Sequence, residues 1–476
     1  MKLKTGIAAI YAILAIIFVM LLFSNRVYDD PFITYRYAVN LAKGEGFVYN
    51  PGEHTLSTTT PLFTLFLACI AWLGTTITQL PLIANLTGAV SLGITGLLLW
   101  KLGLIFKSSW VGWTGLMLYP IFPLAVLTIG SETPLYIALC LGAMLLYFQQ
   151  HYTGTAIIAA LAVLTRPDGI LIPLLLAGHY LILVRKPIPW RAIMSFILIT
   201  GSWALFAWYY FGSPLPVTLL AKQQQVNIAA SENFASGLFT ILGWFNQWPY
   251  WLALALALIG SLYLIKRKHS WLMVIVWTIL YFTGYSLLGV SRYFWYYAPL
   301  VPGFLVLVGS GIAWMASRFQ QEANSEQPRK PGLALLPVLL IIFLVAVQAK
   351  NLWEMHELPD QRSGLYRQVG QWLAENTPPD VSVSTLETGI IGYYAQRRMV
   401  DFAGLLYPDV AESMTVGSTY EDAALYVNQR YNPDILVIQQ GLFPHLEAEL
   451  TMRQCKVLVT FQEAISPYLL DIYSCQ

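Results

Sequence analysis

A succession of apolar runs, separated by short polar turns, constrains this chain more than any other feature. They lie near residues 4–23, 82–106, 109–128, 131–150, 153–165, 168–184, 190–211, 248–265, 271–290, 293–316 and 332–349. About 20 apolar residues span a bilayer as a helix, the form in which every peptide group is satisfied without water. Composition agrees, with 57% of the 476 residues hydrophobic and 11% charged, against roughly 25% charged in soluble domains. The pattern predicts a multispanning α-helical membrane protein with about eleven transmembrane helices. The first run resembles a secretory signal, yet it reaches Phe23 and ends in Ser-Asn-Arg-Val-Tyr-Asp with no small-residue cleavage pattern, so a retained helix is expected. Residues 61–73 are too few to cross and read as an interfacial or re-entrant helix within a first loop, 24–81.

Charge divides the chain in two. Residues 1–350 hold 20 Lys+Arg and 9 Asp+Glu, whereas residues 351–476 hold 7 and 16. The near-neutral total therefore hides a basic membrane part, 1–350, and an acidic tail, 351–476, long enough to fold alone. Helical patterns near 363–376, 390–395 and 421–431 alternate in the tail with strand patterns near 381–386, 399–402, 434–439, 456–461 and 468–474. A small α/β domain is expected there.

With the N-terminus in the cytoplasm, Lys2, Lys4, Lys101, Lys107, Arg185, Lys186, Arg191, Lys266, Arg267, Lys268, Arg318, Arg329 and Lys330 all fall on the cytoplasmic side, the last three in a polar loop, 318–331. The positive-inside rule is then met at every basic loop. The first loop, the turns at Glu132, 166–168 and Arg292, the 212–247 loop and the tail face the other way. The expected location is the cell membrane, multi-pass, with the tail extracytoplasmic. Around Thr165-Arg-Pro-Asp-Gly169, two short helices and one broken helix are both compatible with the pattern.

Cys69 and Cys140 lie in apolar runs, while Cys455 and Cys475 flank a predicted strand pair and can form a disulfide if the tail is outside the cytoplasm. No metal-ligand spacing, glycine-rich nucleotide loop, Ser-His-Asp motif or nucleic-acid patch is present. Chemistry must come from carboxylates, cations and an external lipid substrate.

The outer-face charges are few and sit in compact motifs. Asp29 and Asp30 follow the first run, and two like charges at the membrane edge need a proton to take, a cation to hold or a substrate to orient. A hydroxyl acceptor loses a proton as it attacks, and such a carboxylate can accept it; a solvated pair ending a helix before Pro31 is the competing explanation. Tyr35, Arg36, Asn50, Glu53 and His54, in the turn-rich loop that continues through Ser57-Thr-Thr-Thr-Pro61, can close over a site or serve as turn residues. Glu132 in Gly130-Ser-Glu-Thr-Pro134 fits helix capping and function equally. Arg166 and Asp168 fit a local pair, and the guanidinium also fits phosphate. Lys222 and Arg292 break the sidedness rule, which favours anion binding, as a phosphate leaving group would require.

Together these pieces resemble the GT-C superfamily of integral-membrane glycosyltransferases, arabinofuranosyltransferases most nearly, with lipid A aminoarabinose transferases and protein O-mannosyltransferases more distant. The matching stretches are Asp29-Asp-Pro-Phe-Ile-Thr-Tyr-Arg-Tyr-Ala38, Gly46-Phe-Val-Tyr-Asn-Pro-Gly-Glu53, Thr60-Pro-Leu62, Ser131-Glu-Thr133, Leu164-Thr-Arg-Pro-Asp-Gly169, Ser291-Arg-Tyr293, Gly389-Ile-Ile-Gly-Tyr-Tyr394 and Val400-Asp-Phe-Ala-Gly404. The resemblance implies a polyprenyl-phosphate-linked sugar donor, a glycan, lipid or protein acceptor, and an inverting transfer on the extracytoplasmic face. It puts Asp29 where the catalytic aspartate of the first loop is expected, with Asp30 assisting; Asp29 is then the expected general base on the acceptor hydroxyl, with Asp30, Glu132 or Glu53 orienting the sugar or acceptor. Lys222, Arg292 and Arg166 are then expected on the donor phosphate, and Tyr35, Arg36, Asn50, Glu53, His54 and Asp168 around the substrate. No cofactor is required, although a divalent cation at Asp29 and Asp30 is compatible. A transporter or flippase of lipid-linked glycans would use the same cations and aromatics, but no internal symmetry supports it.

Overall fold

Peptide groups withdrawn from water must pair with one another, and each of the eleven apolar runs does so as helix. The computed structural model describes residues 2–229, 231–267, 270–323, 335–358, 360–462 and 468–475. Seven helices among the described residues are long and apolar enough to cross a membrane: Leu3–Phe23, Leu80–Ile105, Pro167–Val184, Trp190–Phe211, Trp248–Arg267, Phe294–Arg318 and Leu336–Glu357. The other runs form shorter or interrupted helices, including Ser109–Leu118, Thr133–Phe148, Tyr152–Thr165 and Leu272–Leu288. The chain is a multi-pass membrane protein. Residues 332–334 of the last run, most of the expected polar loop and Lys268 lie outside the described residues.

Outward faces of the bundle are apolar, as Leu14, Leu21, Leu198, Leu205 and Leu262 illustrate. Inside, glycines bring backbones together: a Cβ on Gly260 would collide with the Leu307 carbonyl, and one on Gly311 with the Leu256 carbonyl, which seats Trp248–Arg267 against Val301–Ala323. Around Arg166 the structure chooses two helices. The backbone of Arg166 is extended (φ −153°, ψ 137°), ending Tyr152–Thr165. The chain then folds back, since Tyr180 packs on Tyr152 and Lys186 bonds Gln150.

The first loop contains two helices, Asp30–Lys43 and Pro61–Trp72, the second matching the short apolar stretch. After Leu336–Glu357 the tail forms a five-stranded sheet from β1 (Ser382–Thr385), β2 (Arg398–Asp401), β3 (Ile435–Gln439), β4 (Lys456–Gln462) and β5 (Leu469–Ser474). Its order is β2-β1-β3-β5-β4, with β1 parallel to β2 and β3, and β5 antiparallel to β3 and β4. Helices Pro408–Ser413 and Pro444–Met452, 6 and 9 residues long, add to the elements expected from the sequence. Cys455 and Cys475 are joined by a disulfide that closes the β4–β5 hairpin.

The tail does not stand apart from the first loop. Phe32, Tyr35, Tyr37, Phe47 and Tyr49 of the loop share one hydrophobic core with Leu365, Val369, Ile390, Tyr393, Met399 and Leu405 of the tail. Burying aromatic side chains of this size is worth roughly 1.5–3 kcal/mol each. The two segments are packed as a unit over one end of the bundle.

Candidate active site

A cavity of about 360 Å³ lies where the first loop meets the bundle, and five of the charged residues singled out in the sequence line it: Asp30, Glu132, Arg166, Asp168 and Lys222. Asp30 is the first residue of the Asp30–Lys43 helix and Lys222 belongs to Val217–Gln224, in the 212–247 loop. The Lys222 Nζ is 3.2 Å from Asp30 Oδ2 and 3.6 Å from the centre of the Tyr293 ring. Lys222 is only 6% exposed, which would disfavour its charge. Burial pulls its pKa down, but the Asp30 carboxylate and nearby tyrosines outweigh it and the net shift is upward, so the ammonium stays charged.

On the opposite wall Arg166 is held by two carboxylates. Its Nη1 donates to Glu132 Oε1 at 3.0 Å, its Nε to Asp168 Oδ1 at 3.1 Å and its Nη2 to the Tyr285 hydroxyl at 2.6 Å. The extended break at Arg166 and the turn that follows bring it beside Glu132. Capping is not what Glu132 does, because the Thr133 amide is taken by the Ser131 hydroxyl instead. Three carboxylates thus face two cations.

Between the walls stand groups that the sequence did not single out individually. Thr34, Thr58 and Thr60 form a buried hydroxyl triangle with oxygens 3.1–3.2 Å apart. Tyr28, stacked on Trp295 at 5.3 Å, and Tyr296 supply an aromatic wall of the kind sugars pack against. Leu215, Leu288 and Ile170 line the cavity while remaining 66%, 43% and 39% exposed, so the site opens on an apolar surface.

Other expected site residues are placed elsewhere. Asp29 does not line the cavity: its two carboxylate oxygens accept the backbone N–H groups of Gly389 at 2.8 Å and Ile390 at 2.7 Å, in the first turn of the tail helix Thr388–Ala395. Burial and the charge of Glu387 push its carboxyl above the ordinary range, while those amides pull the other way. Asp29 and Asp30 thus serve different partners, and their carboxylates are not directed at a common cation. Arg36, 2% exposed, donates to the carbonyls of Gly392 and Arg397 and stacks over Tyr49. The Asn50 side-chain amide bonds both the N–H and the carbonyl of Met399 on edge strand β2. Glu53 pairs with Arg398 at 2.7 Å, Tyr35 bonds the Gly130 carbonyl, and His54 is exposed and stacked on Tyr210. These residues tie the first loop to the tail or the bundle rather than facing the cavity. Arg292 turns away as well, to Glu232 at 3.0 Å. No group of three or more His, Cys, Asp or Glu among the described residues is placed to hold a metal ion.

Comparison with known proteins fits this architecture. Residues 353–473 match a family model described as a domain of unknown function (DUF8728). Over 268 residues, 51% of the chain, the sequence is 28% identical to the terminal β-(1→2)-arabinofuranosyltransferase of Mycobacterium tuberculosis, of which this match spans 41%. The fold is similar to that of ArnT from Cupriavidus metallidurans bound to undecaprenyl phosphate, with a TM-score of 0.61 at 14% identity and 98% of each chain covered. It is also similar to the Archaeoglobus fulgidus oligosaccharyltransferase AglB in complex with an inhibitory peptide and a dolichol-phosphate, with a TM-score of 0.58 at 14% identity, over 91% of this chain and 69% of that one. The chain has the GT-C fold, with a small sheet domain at its C-terminal end.

Proposed function

We propose that this protein is a glycosyltransferase that moves a sugar from a polyprenyl-phosphate donor to a hydroxyl of a cell-envelope glycan, lipid or protein on the extracytoplasmic face. The observation that carries this reading is the pairing of buried Lys222 with half-buried Asp30 at one wall of a cavity that opens on an apolar surface. A prenyl chain fits the rim at Leu215 and Leu288, and its phosphate reaches Lys222. The two lipid-phosphate-bound neighbours support this donor class, and the arabinofuranosyltransferase relative supports sugar transfer.

The pairing of Lys222 with Asp30 suggests the order of events. An arriving phosphate competes for the ammonium, and as Lys222 turns to it the Asp30 carboxylate loses its partner and becomes available as a base. The acceptor hydroxyl attacks the anomeric carbon and gives its proton to Asp30. The bond from that carbon to the phosphate oxygen breaks, and polyprenyl phosphate leaves with its charge held by Lys222. Arg166, already neutralised by Glu132 and Asp168, serves chiefly to hold those two carboxylates toward sugar hydroxyls, with Thr34, Thr58 and Thr60 beside them. Attack opposite the leaving group gives inversion.

The test is transfer from a set of polyprenyl-phosphate sugars by purified protein, comparing wild type with Asp30→Asn. A fall of at least ~10²-fold in kcat is expected, in line with the loss of a positioned general base. Undiminished transfer by Asp30→Asn would remove Asp30 from this role.

A further inference from the structure

Two glycines of the stretch Gly389-Ile-Ile-Gly-Tyr-Tyr394 are shaped to the first loop. A Cβ on Gly389 would collide with the Asp29 carbonyl oxygen and lie 2.6 Å from its Oδ2; one on Gly392 would collide with the Tyr49 hydroxyl and lie 2.9 Å from Arg36 Nη1. The tail helix Thr388–Ala395 is thereby gripped at both ends by the Asp30–Lys43 helix and its approach. Asp29 takes the free amides at its N-terminus, and Arg36 takes the Gly392 carbonyl and that of Arg397 just beyond its C-terminus. Each charge complements the helix dipole at the end it occupies. The Tyr49 hydroxyl adds a bond of 2.7 Å to the Thr388 carbonyl.

From this geometry we infer that Asp29 is a positioning residue, through which the tail helix Thr388–Ala395 fixes the backbone that carries Asp30 in the cavity. The catalytic part of this inference rests on the proposed role of Asp30. Asp29 is one peptide unit from Asp30, and the turn between them is further set by Pro31 and by the Phe32 N–H on the Asp29 carbonyl at 3.0 Å. With both oxygens of Asp29 held and its carbonyl packed on Gly389, the φ and ψ that aim Asp30 at Lys222 are determined from the tail. The tail thus completes the site without entering the chemistry.

The inference is tested in the full-length protein with Gly389→Ala, Asp29→Asn and the pair combined, against Asp30→Asn. Gly389 does not line the cavity, and alanine is a better helix former than glycine. Misplacing a reacting group by about 1 Å costs on the order of 10²-fold. Gly389→Ala and Asp29→Asn are therefore each expected to lower kcat ~10–100-fold while donor KM stays within about 3-fold. The combined variant should be little worse than the poorer single one, because both break one contact. The acidic limb of the pH–rate profile should survive in both single variants, as Asp30 is still present as the base, and vanish in Asp30→Asn. Wild-type kcat in Gly389→Ala, together with loss of the acidic limb in Asp29→Asn, would make Asp29 the base and overturn the inference. Amide exchange at Gly389 and Ile390 supplies a readout independent of turnover: it should quicken at least ~10-fold in Asp29→Asn, and unchanged protection would also overturn the inference. If wild type transfers from no donor, the transferase reading fails, while the exchange result still decides whether Asp29 holds the tail.

Discussion

Asp29 and Asp30 are neighbours in sequence and part company in space. A pair of carboxylates after an apolar run was legible as costly and therefore purposeful, but which of them faces the cavity was not. Successive side chains at a helix start point about 100° apart, and the amides that claim Asp29 lie 360 and 361 residues downstream. The same reason hid the roles of Arg36, Asn50 and Glu53, each of which has a partner in the tail. Glu132, Arg166, Asp168 and Lys222 were legible because each broke a local expectation: a charge next to an apolar run, or a cation on the face where the sidedness rule expects none. Lys222 has a distinct signature to test. Lys222→Met should raise donor KM and lower kcat/KM by ~10²–10³-fold, the range for removing one charge stabiliser of a leaving group, with Lys222→Arg recovering part of it. Donor titrations that give wild-type KM and kcat for Lys222→Met would count against a phosphate contact there.

Among the elements, the five strands and three of the helices of the tail followed from period and alternation, while the helices Pro408–Ser413 and Pro444–Met452 and the turns needed the structure. Val400-Asp-Phe-Ala-Gly404 is one such turn. Asp401, fully buried, accepts the amides of Leu405 and Leu406, and Leu405 reaches the cavity; Gly404 takes φ 70° where a side chain would meet Ala411. Burial raises the Asp401 carboxyl to about 6 in spite of the Leu405 and Leu406 amides. A folded pKa above the unfolded one means that the folded state binds the proton more tightly. The resulting stability is complete below about pH 4 and is lost as pH rises through about 6, a difference of at most ~3 kcal/mol. Thermal unfolding of the purified protein should show the midpoint of the tail falling between pH 4 and 6.5, with Asp401→Asn flattening that slope. An equally steep slope in Asp401→Asn would assign the effect to other groups.

At the scale of the whole molecule, the apolar runs carried the architecture. Bilayer-spanning helices announce themselves locally, since each must satisfy its own backbone. What sequence could not convey is that loop and tail share a core, because that contact depends on chain ends brought together by the bundle. In the proposed orientation, the first loop and tail lie outside and the basic turns lie inside. In a Cys69→Ser background, a membrane-impermeant thiol reagent should label Glu45→Cys in intact cells and Lys107→Cys only after permeabilisation. Both positions are exposed and lie at opposite ends of the helical path. The reverse labelling pattern would invert the topology and place the cavity in the cytoplasm.

The grip of Asp29 and Arg36 on Thr388–Ala395 also has a consequence for biosynthesis. At roughly 5–20 residues per second, translation separates the two sides of that grip by roughly 20–70 s. Until residues 388–397 have been made, Asp29 and Arg36 lack their tail partners, and under the inferred role of Asp29 the aim of Asp30 is not yet fixed. Under the proposed function, a chain stopped before residue 388 is therefore expected to be inert toward lipid-linked sugar, and competence to arrive only once the tail helix Thr388–Ala395 has been made.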